Sequence, residues 1–211
     1  MNASGMTYEE KDTGVTLEKY EWSNTWHELA PEGDARRVLY IGDSISLMTR
    51  HHMNRIRGDR GIYIDGIHTS KGLDNPTFLD FVTLFAHEEG AREAILFNNG
   101  LHGWHLSGEE YEKAYEALVL AIRDAVPAKQ ILLLLSTRLR NEERTARVLA
   151  RNEAVKRIGA KHGFPVIDLY SVSNEHFDLL AKDGVHYTDE GYTLFAEFVW
   201  SHLTAHLNNC K

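Results

Sequence analysis

Five short apolar runs punctuate the chain, and each is continuous rather than alternating. They are Arg37–Gly42 (RVLYIG), Ile62–Asp65 (IYID), Ala94–Asn99 (AILFNN), Gln130–Ser136 (QILLLLS) and Pro165–Tyr170 (PVIDLY). Such runs are too short for most helices, and unbroken apolarity is what a strand needs when both sheet faces are covered. Between them the period becomes helical. In Tyr111–Val126 the residues Tyr111, Tyr115, Leu118, Val119, Ile122 and Val126 share one stripe, with Ser107 and Glu110 spaced as a capping box ahead of it. A second helix is predicted over Asn141–His162, with Ala146, Leu149, Ala150, Ala154 and Ile158 turned inward and Gly163 ending it. A last helix starts near Thr188, a cap residue, with Asp189 and Glu190 suited to its positive end.

Strands alternating with helices predict right-handed crossovers, a five-stranded parallel sheet and a three-layer α/β/α sandwich. Residues 34–211 read as a single domain, and residues 1–33 as a less regular arm packed on it. Tyr20, Trp22 and Trp26 would anchor that arm by packing, and a wall of the site is the other role open to them.

Composition narrows the partners. A net charge of -8 over 211 residues repels nucleic acid and anionic membranes, and the Arg and Lys residues are scattered among acids. No window approaches the ~18 consecutive apolar residues of a membrane span. The N-terminus MNASGMTYEEKDTG has no basic region leading into an apolar one, and the single cysteine, Cys210, has no internal partner. These features predict a cytoplasmic chain and leave a homo-oligomer open. No glycine-rich phosphate motif follows any strand, so no nucleotide cofactor is expected. His202, His206 and Cys210 recur every four residues, as zinc ligands can, but no fourth ligand accompanies them; no metal is expected.

In open parallel sheets ligands bind at the carboxyl ends of the strands. Ser44 occupies such an end, in RVLYIGDSIS, where Gly42 would allow a tight turn into a helix. It is a helix cap or a nucleophile. As a nucleophile it needs a base to take its proton, and histidine is the side chain that accepts and returns one near neutral pH. Of 12 histidines, His186 stands in a turn before the last helix, AKDGVHYTDEGY, three residues after Asp183. Asp183 can fold back onto the ring across Gly184 and leave Nε2 facing Ser44. Read alone, the pair serves equally as turn and cap residues.

The two ends taken together, GDSIS and DGVHYTDEGY, resemble the SGNH or GDSL hydrolase family. The resemblance spans nearly the whole chain. It implies a flavodoxin-like sandwich and a cofactor-free serine esterase, with Ser44 as nucleophile and Asp183 and His186 completing a catalytic triad. It also implies an oxyanion hole built from the Ser44 N–H, a glycine of the second loop and an asparagine of the third. The second loop, IHTSKGLDNP, offers Gly72, with Ser70 as the rival. The third loop departs from the family pattern of Gly-x-Asn-Asp. In FNNGLHGWH the aligned positions hold His102 and Gly103, so Asn98 becomes the expected donor, with Asn99 and His102 as rivals. An Asn-x-Gly-Leu arrangement resembles a carbohydrate-esterase branch of the family, which implies small acyl, above all acetyl, esters on sugars as substrate. His102, Trp104 and Arg138 are the residues expected to meet that substrate. A lysophospholipase or acyl-thioesterase on the same triad, and a non-catalytic carbohydrate-binding relative, remain the alternatives.

Overall fold

The computed structural model describes residues 21–29, 35–87 and 90–209; Tyr20 and Cys210 lie outside them. Thirteen elements follow in order: β1 (Ser23–Trp26), β2 (Arg36–Gly42), α1 (Ser44–Arg55), β3 (Ile62–Thr69), α2 (Phe78–Ala86), β4 (Ala94–Phe97), α3 (Gly108–Ala125), β5 (Ile131–Leu134), α4 (Glu142–His162), β6 (Val166–Ile167), α5 (Leu169–Glu175), a 3-10 turn (Phe177–Leu179) and α6 (Asp189–Asn209). One sheet runs β1-β3-β2-β4-β5-β6. Strands β2 to β6 are mutually parallel, in the order of a flavodoxin-like doubly wound fold.

The sheet alternates its burial with period two. Val38, Tyr40, Ala94, Leu96, Leu132 and Leu134 face a cluster completed by Phe195, Val199 and Leu203 of α6. Leu39, Ile41, Ile95, Phe97, Ile131 and Leu133 face the opposite cluster, with Phe78 and Val82 of α2, Tyr115 and Val119 of α3, and Val155 of α4. These two cores make the outer layers of the sandwich.

Three expectations change. The sheet has six strands rather than five, because Ser23–Trp26 of the arm pairs antiparallel with β3, from Ser23 opposite Thr69 to Trp26 opposite Gly66. β3 runs on past Asp65, where the apolar run ended in sequence, through buried His68 and Thr69, held by β2 as far as His68 and by β1 at Thr69. The last strand is shorter than PVIDLY: Asp168 accepts from the Ser171 N–H at 3.0 Å, caps α5 and turns Leu169 and Tyr170 into helix. The inner face of α4 is rotated from the predicted one. Ala146, Leu149 and Ala150 are exposed, and the buried positions are Thr145, Val148, Arg151, Asn152, Ala154, Val155 and Ile158. Thr145, Arg151 and Asn152 mislead an apolar stripe because each is satisfied inside. Asn152 braces Ser136 through both backbone groups at 2.8 and 2.9 Å. Arg151 donates to the carbonyls of Gly100, His102 and Gly103 at 2.6 to 3.0 Å.

Candidate active site

The sheet order reverses at β2, whose two neighbours are β3 and β4, so the crevice at its carboxyl end lies between loops that diverge. Ser44 is the first residue of the helix that follows, α1. It is not the cap. Asp43 is, and its Oδ1 accepts from the N–H groups of Ile45 at 3.0 Å and Ser46 at 3.3 Å, while Ser46 Oγ accepts from the Asp43 N–H in return. This reciprocal box fixes the turn and aims the Ser44 side chain out of the helix start. Gly42 is not in a left-handed conformation. A Cβ there would collide with the Ser46 side chain, so glycine is needed for close approach rather than for the turn.

Asp183, Gly184 and His186 form one tight turn ahead of α6. Gly184 has φ 78°, and a Cβ on it would lie 2.9 Å from that of Arg140, whose N–H donates to the Gly184 carbonyl at 2.9 Å. Asp183 Oδ1 accepts from the backbone N–H groups of Val185 and His186 at 2.9 and 3.0 Å, and Oδ2 lies 2.7 Å from His186 Nδ1. On the other side of the ring, Nε2 stands 2.9 Å from Ser44 Oγ, across 142 positions of chain. The Val185 N–H, with the His186 ring and N–H adding to it against partial burial, holds the Asp183 carboxyl down at about 2. Ionised there, it accepts the Nδ1 proton and leaves Nε2 as the acceptor for the Ser44 hydroxyl.

Ser44 and His186 open on a cavity of ~390 Å³ lined also by Trp22, Leu101, His102, Trp104, Leu139, Arg144 and Val185. Trp104 is clamped by three guanidinium groups, those of Arg144, Arg147 and Arg151, at 5.4, 5.2 and 4.6 Å from its ring centre. Trp22 comes from the arm. Its N–H donates to Ser70 Oγ at 2.9 Å and its carbonyl accepts from the Ser70 N–H at 3.1 Å.

Several expected site residues stand elsewhere. Asn98 donates both amide hydrogens away from the cavity, to the Leu134 carbonyl at 2.8 Å and Ser136 Oγ at 3.1 Å. Its amide braces the ends of β4 and β5 and is not available to an oxyanion. Asn99 donates to the Lys71 carbonyl at 3.0 Å. Of the three third-loop rivals, His102 is the one that lines the cavity with Ser44 and His186. Gly72 is buried against Gly103, to whose Cα a Cβ on it would come within 3.3 Å, and it is not among the cavity's lining residues. Ser70 is taken up by Trp22. Arg138 turns from the cavity to Asn174 and Glu142, at 2.8 and 2.9 Å, and lies over the Phe177 ring. The rim cation is instead Arg144, in the first turn of α4 behind its cap Asn141. Arg144 follows Arg138 in the same stretch, STRLRNEER. Among the described residues no three side chains gather as metal ligands, and no helix is long and apolar enough to cross a membrane.

Residues 98–194 match the GDSL-like lipase/acylhydrolase family. No curated protein matches the chain in sequence. Its fold is shared with a member of the lipolytic G-D-S-L family from Veillonella parvula, at a TM-score of 0.67 and 16% identity over 81% of this chain and 99% of that one. The C-terminal catalytic domain of peptidoglycan O-acetyltransferase A from Streptococcus pneumoniae superposes at a TM-score of 0.63, with 18% identity over 82% and 95% of the two chains. An acetylxylan esterase from Geobacillus stearothermophilus does so at 0.60, with 17% identity over 80% and 94%. At these identities the likeness is one of fold.

Proposed function

We propose that this protein is a serine esterase that removes small acyl groups, acetyl above all, from carbohydrates. The observation that carries the reading is the hydrogen-bonded line from Asp183 through His186 to Ser44, 2.7 and 2.9 Å long, ending at a cavity. Ser44 Oγ attacks the ester carbonyl carbon as His186 Nε2 takes its proton. The carbonyl π electrons move to oxygen, which becomes the oxyanion. Donors for it are the Ser44 N–H, at the positive end of α1, and the His102 side chain. The oxyanion collapses, the C–O bond to the alcohol breaks, and the leaving oxygen takes the proton from His186. Water then adds to the Ser44 acyl-enzyme, with the same imidazole as base, and the free acid leaves.

The cavity supports a small substrate. Its ~390 Å³ lies near the lower end of the range for small-molecule sites. Trp22 and Trp104 offer it two aromatic faces, and Arg144 a donor to sugar hydroxyls. The acetylxylan esterase and O-acetyltransferase among the fold's neighbours are consistent with an acetyl group on a glycan.

The test pairs a fluorophosphonate probe with p-nitrophenyl esters. Ser44 is expected to label far faster than a surface serine, acetyl to be cut faster than octanoyl, and Ser44→Ala to lose turnover while keeping its fold. Labelling of Ser44 no faster than background, or turnover intact in Ser44→Ala, defeats the esterase. A preference for octanoyl defeats the small-acyl part.

A further inference from the structure

Trp22 stands one residue ahead of β1 and Trp26 ends it, four residues on, and each lines a cavity together with residues of α1. Four residues of strand span roughly 13 Å. Trp22 lines the cavity that holds Ser44. Trp26 is 54% exposed and lines a separate cavity of ~370 Å³, with Glu28, Arg50, His51, Asn54, Arg55 and Arg57. Helix α1 connects the two from the other side: Ser44 begins it, and Arg50 to Arg55 form its far half.

The second cavity is built rather than incidental. Arg50 is 6% exposed, yet its guanidinium lies 5.9 Å from the Trp26 ring. It gets there by crossing β3 at Gly66, the residue paired with Trp26, where a Cβ would come within 2.6 Å of the Arg50 side chain. Arg50 donates to the Ile64 carbonyl at 3.3 Å and pairs with Glu28 at 3.4 Å; its Nε has no acceptor. Arg55 is half exposed and reaches Asp189 only at 4.0 Å. Arg57 lies flat on Tyr63 at 4.1 Å. Three guanidinium groups and an imidazole thus face a single carboxylate beside an open indole, in a chain whose net charge is -8.

We infer that this cavity is a remote subsite for a carboxylate-bearing sugar unit of the same glycan whose acyl ester is cut at Ser44. The inference rests on the carbohydrate-esterase reading above. The Trp26 face stacks on the apolar face of a pyranose, and arginine pairs with carboxylate through parallel N–H donors. The span between the two tryptophans is that of a short oligosaccharide, not a single sugar. Asn24, exposed and on the same face of β1 as Trp26, lies between them in sequence.

Two measurements test it. Binding is read by calorimetry in the full chain carrying Ser44→Ala, using unacetylated oligogalacturonate and xylo-oligosaccharide of equal length, so that no ester need be cut. Turnover is read in the Ser44 protein on the acetylated forms of both. The acidic oligosaccharide is expected to bind more tightly, and added salt to erase the difference. Arg55→Gln should shrink the acidic-over-neutral preference about fivefold, both in Kd and in KM. Trp26→Ala should weaken both oligosaccharides by about three- to tenfold. Equal affinity for the two oligosaccharides, or an unchanged preference in Arg55→Gln, overturns the subsite. So does a dimer, seen by sedimentation, that Trp26→Ala dissociates, because a second copy would then own this face. Acidic binding without any ester turnover counts against the esterase reading and leaves the subsite standing.

Discussion

Replacing Asp183 by Asn separates orientation of the imidazole from the stability of the turn. The Asn carbonyl can keep the two backbone contacts that Oδ1 now makes, with Val185 and His186. What changes is the 2.7 Å contact to His186 Nδ1, where an N–H₂ group would replace an acceptor. Two donors cannot face each other. The ring answers by moving its proton to Nε2, which then donates toward Ser44 and can no longer take a proton from it. A loss of about 10³-fold in kcat/KM on p-nitrophenyl acetate is expected, or ~4 kcal/mol at the transition state. Unfolding free energy in urea should change by less than ~1 kcal/mol, since Asp183 is half exposed and its backbone contacts persist. The pH profile adds a check on sign. The Asp183 pKa is depressed to about 2, so the stability it adds is present above the ordinary carboxylate range and fades as pH falls through about 2. Above pH 4 the carboxylate stays charged. Activity of Asp183→Asn within tenfold of the parent protein, or a loss matched by unfolding, would refute the reasoning.

Other expectations follow from the same contacts. His102→Ala should lower kcat by about 10²–10³-fold, with little change in urea midpoint, if its side chain holds the oxyanion; an unchanged kcat removes it from that role. Asn98→Ala should do the reverse, costing ~1–3 kcal/mol of stability because the Leu134 carbonyl loses its buried donor, which urea titration reads directly. Gly42→Ala should destabilise by about 1–3 kcal/mol in the parent protein and by less in a Ser46→Ala background, because the nearest obstructing atom, Ser46 Oγ, is then gone while the Cβ of residue 46 stays 2.7 Å away. Equal costs in the two backgrounds would mean that Ser46 is not the obstacle.

Much of the architecture was legible because burial on both sheet faces writes unbroken apolar runs, and the five parallel strands begin where those runs begin. The added strand was not, since SNTW is exposed along its length and its pairing partner is written forty residues away. The phase of α4 was misread because buried Arg151 and Asn152 serve backbone carbonyls and amides that exist only in the folded chain. At the site, Ser44, Asp183 and His186 could be named because GDSIS and DGVHYTDEGY together resemble one family; spacing alone left Asp183 and His186 equally readable as turn and cap residues. Asn98 and Arg138 could not be placed from type alone. Asparagine and arginine side chains go where acceptors are, and theirs lie at Leu134 and at Asn174, on neighbouring elements.

Asp183 and His186 sit on one turn of four residues, locked by Gly184 onto Arg140. Their mutual alignment is therefore a local property, and a shift of that turn carries both together. Only the gap to the serine senses the rest of the molecule. On the proposed mechanism, catalytic competence then reduces to one coordinate, the separation between the segment that opens α1 and the segment that precedes α6, and gradual loosening of the protein should silence turnover through that single distance while the carboxylate and imidazole remain engaged with each other.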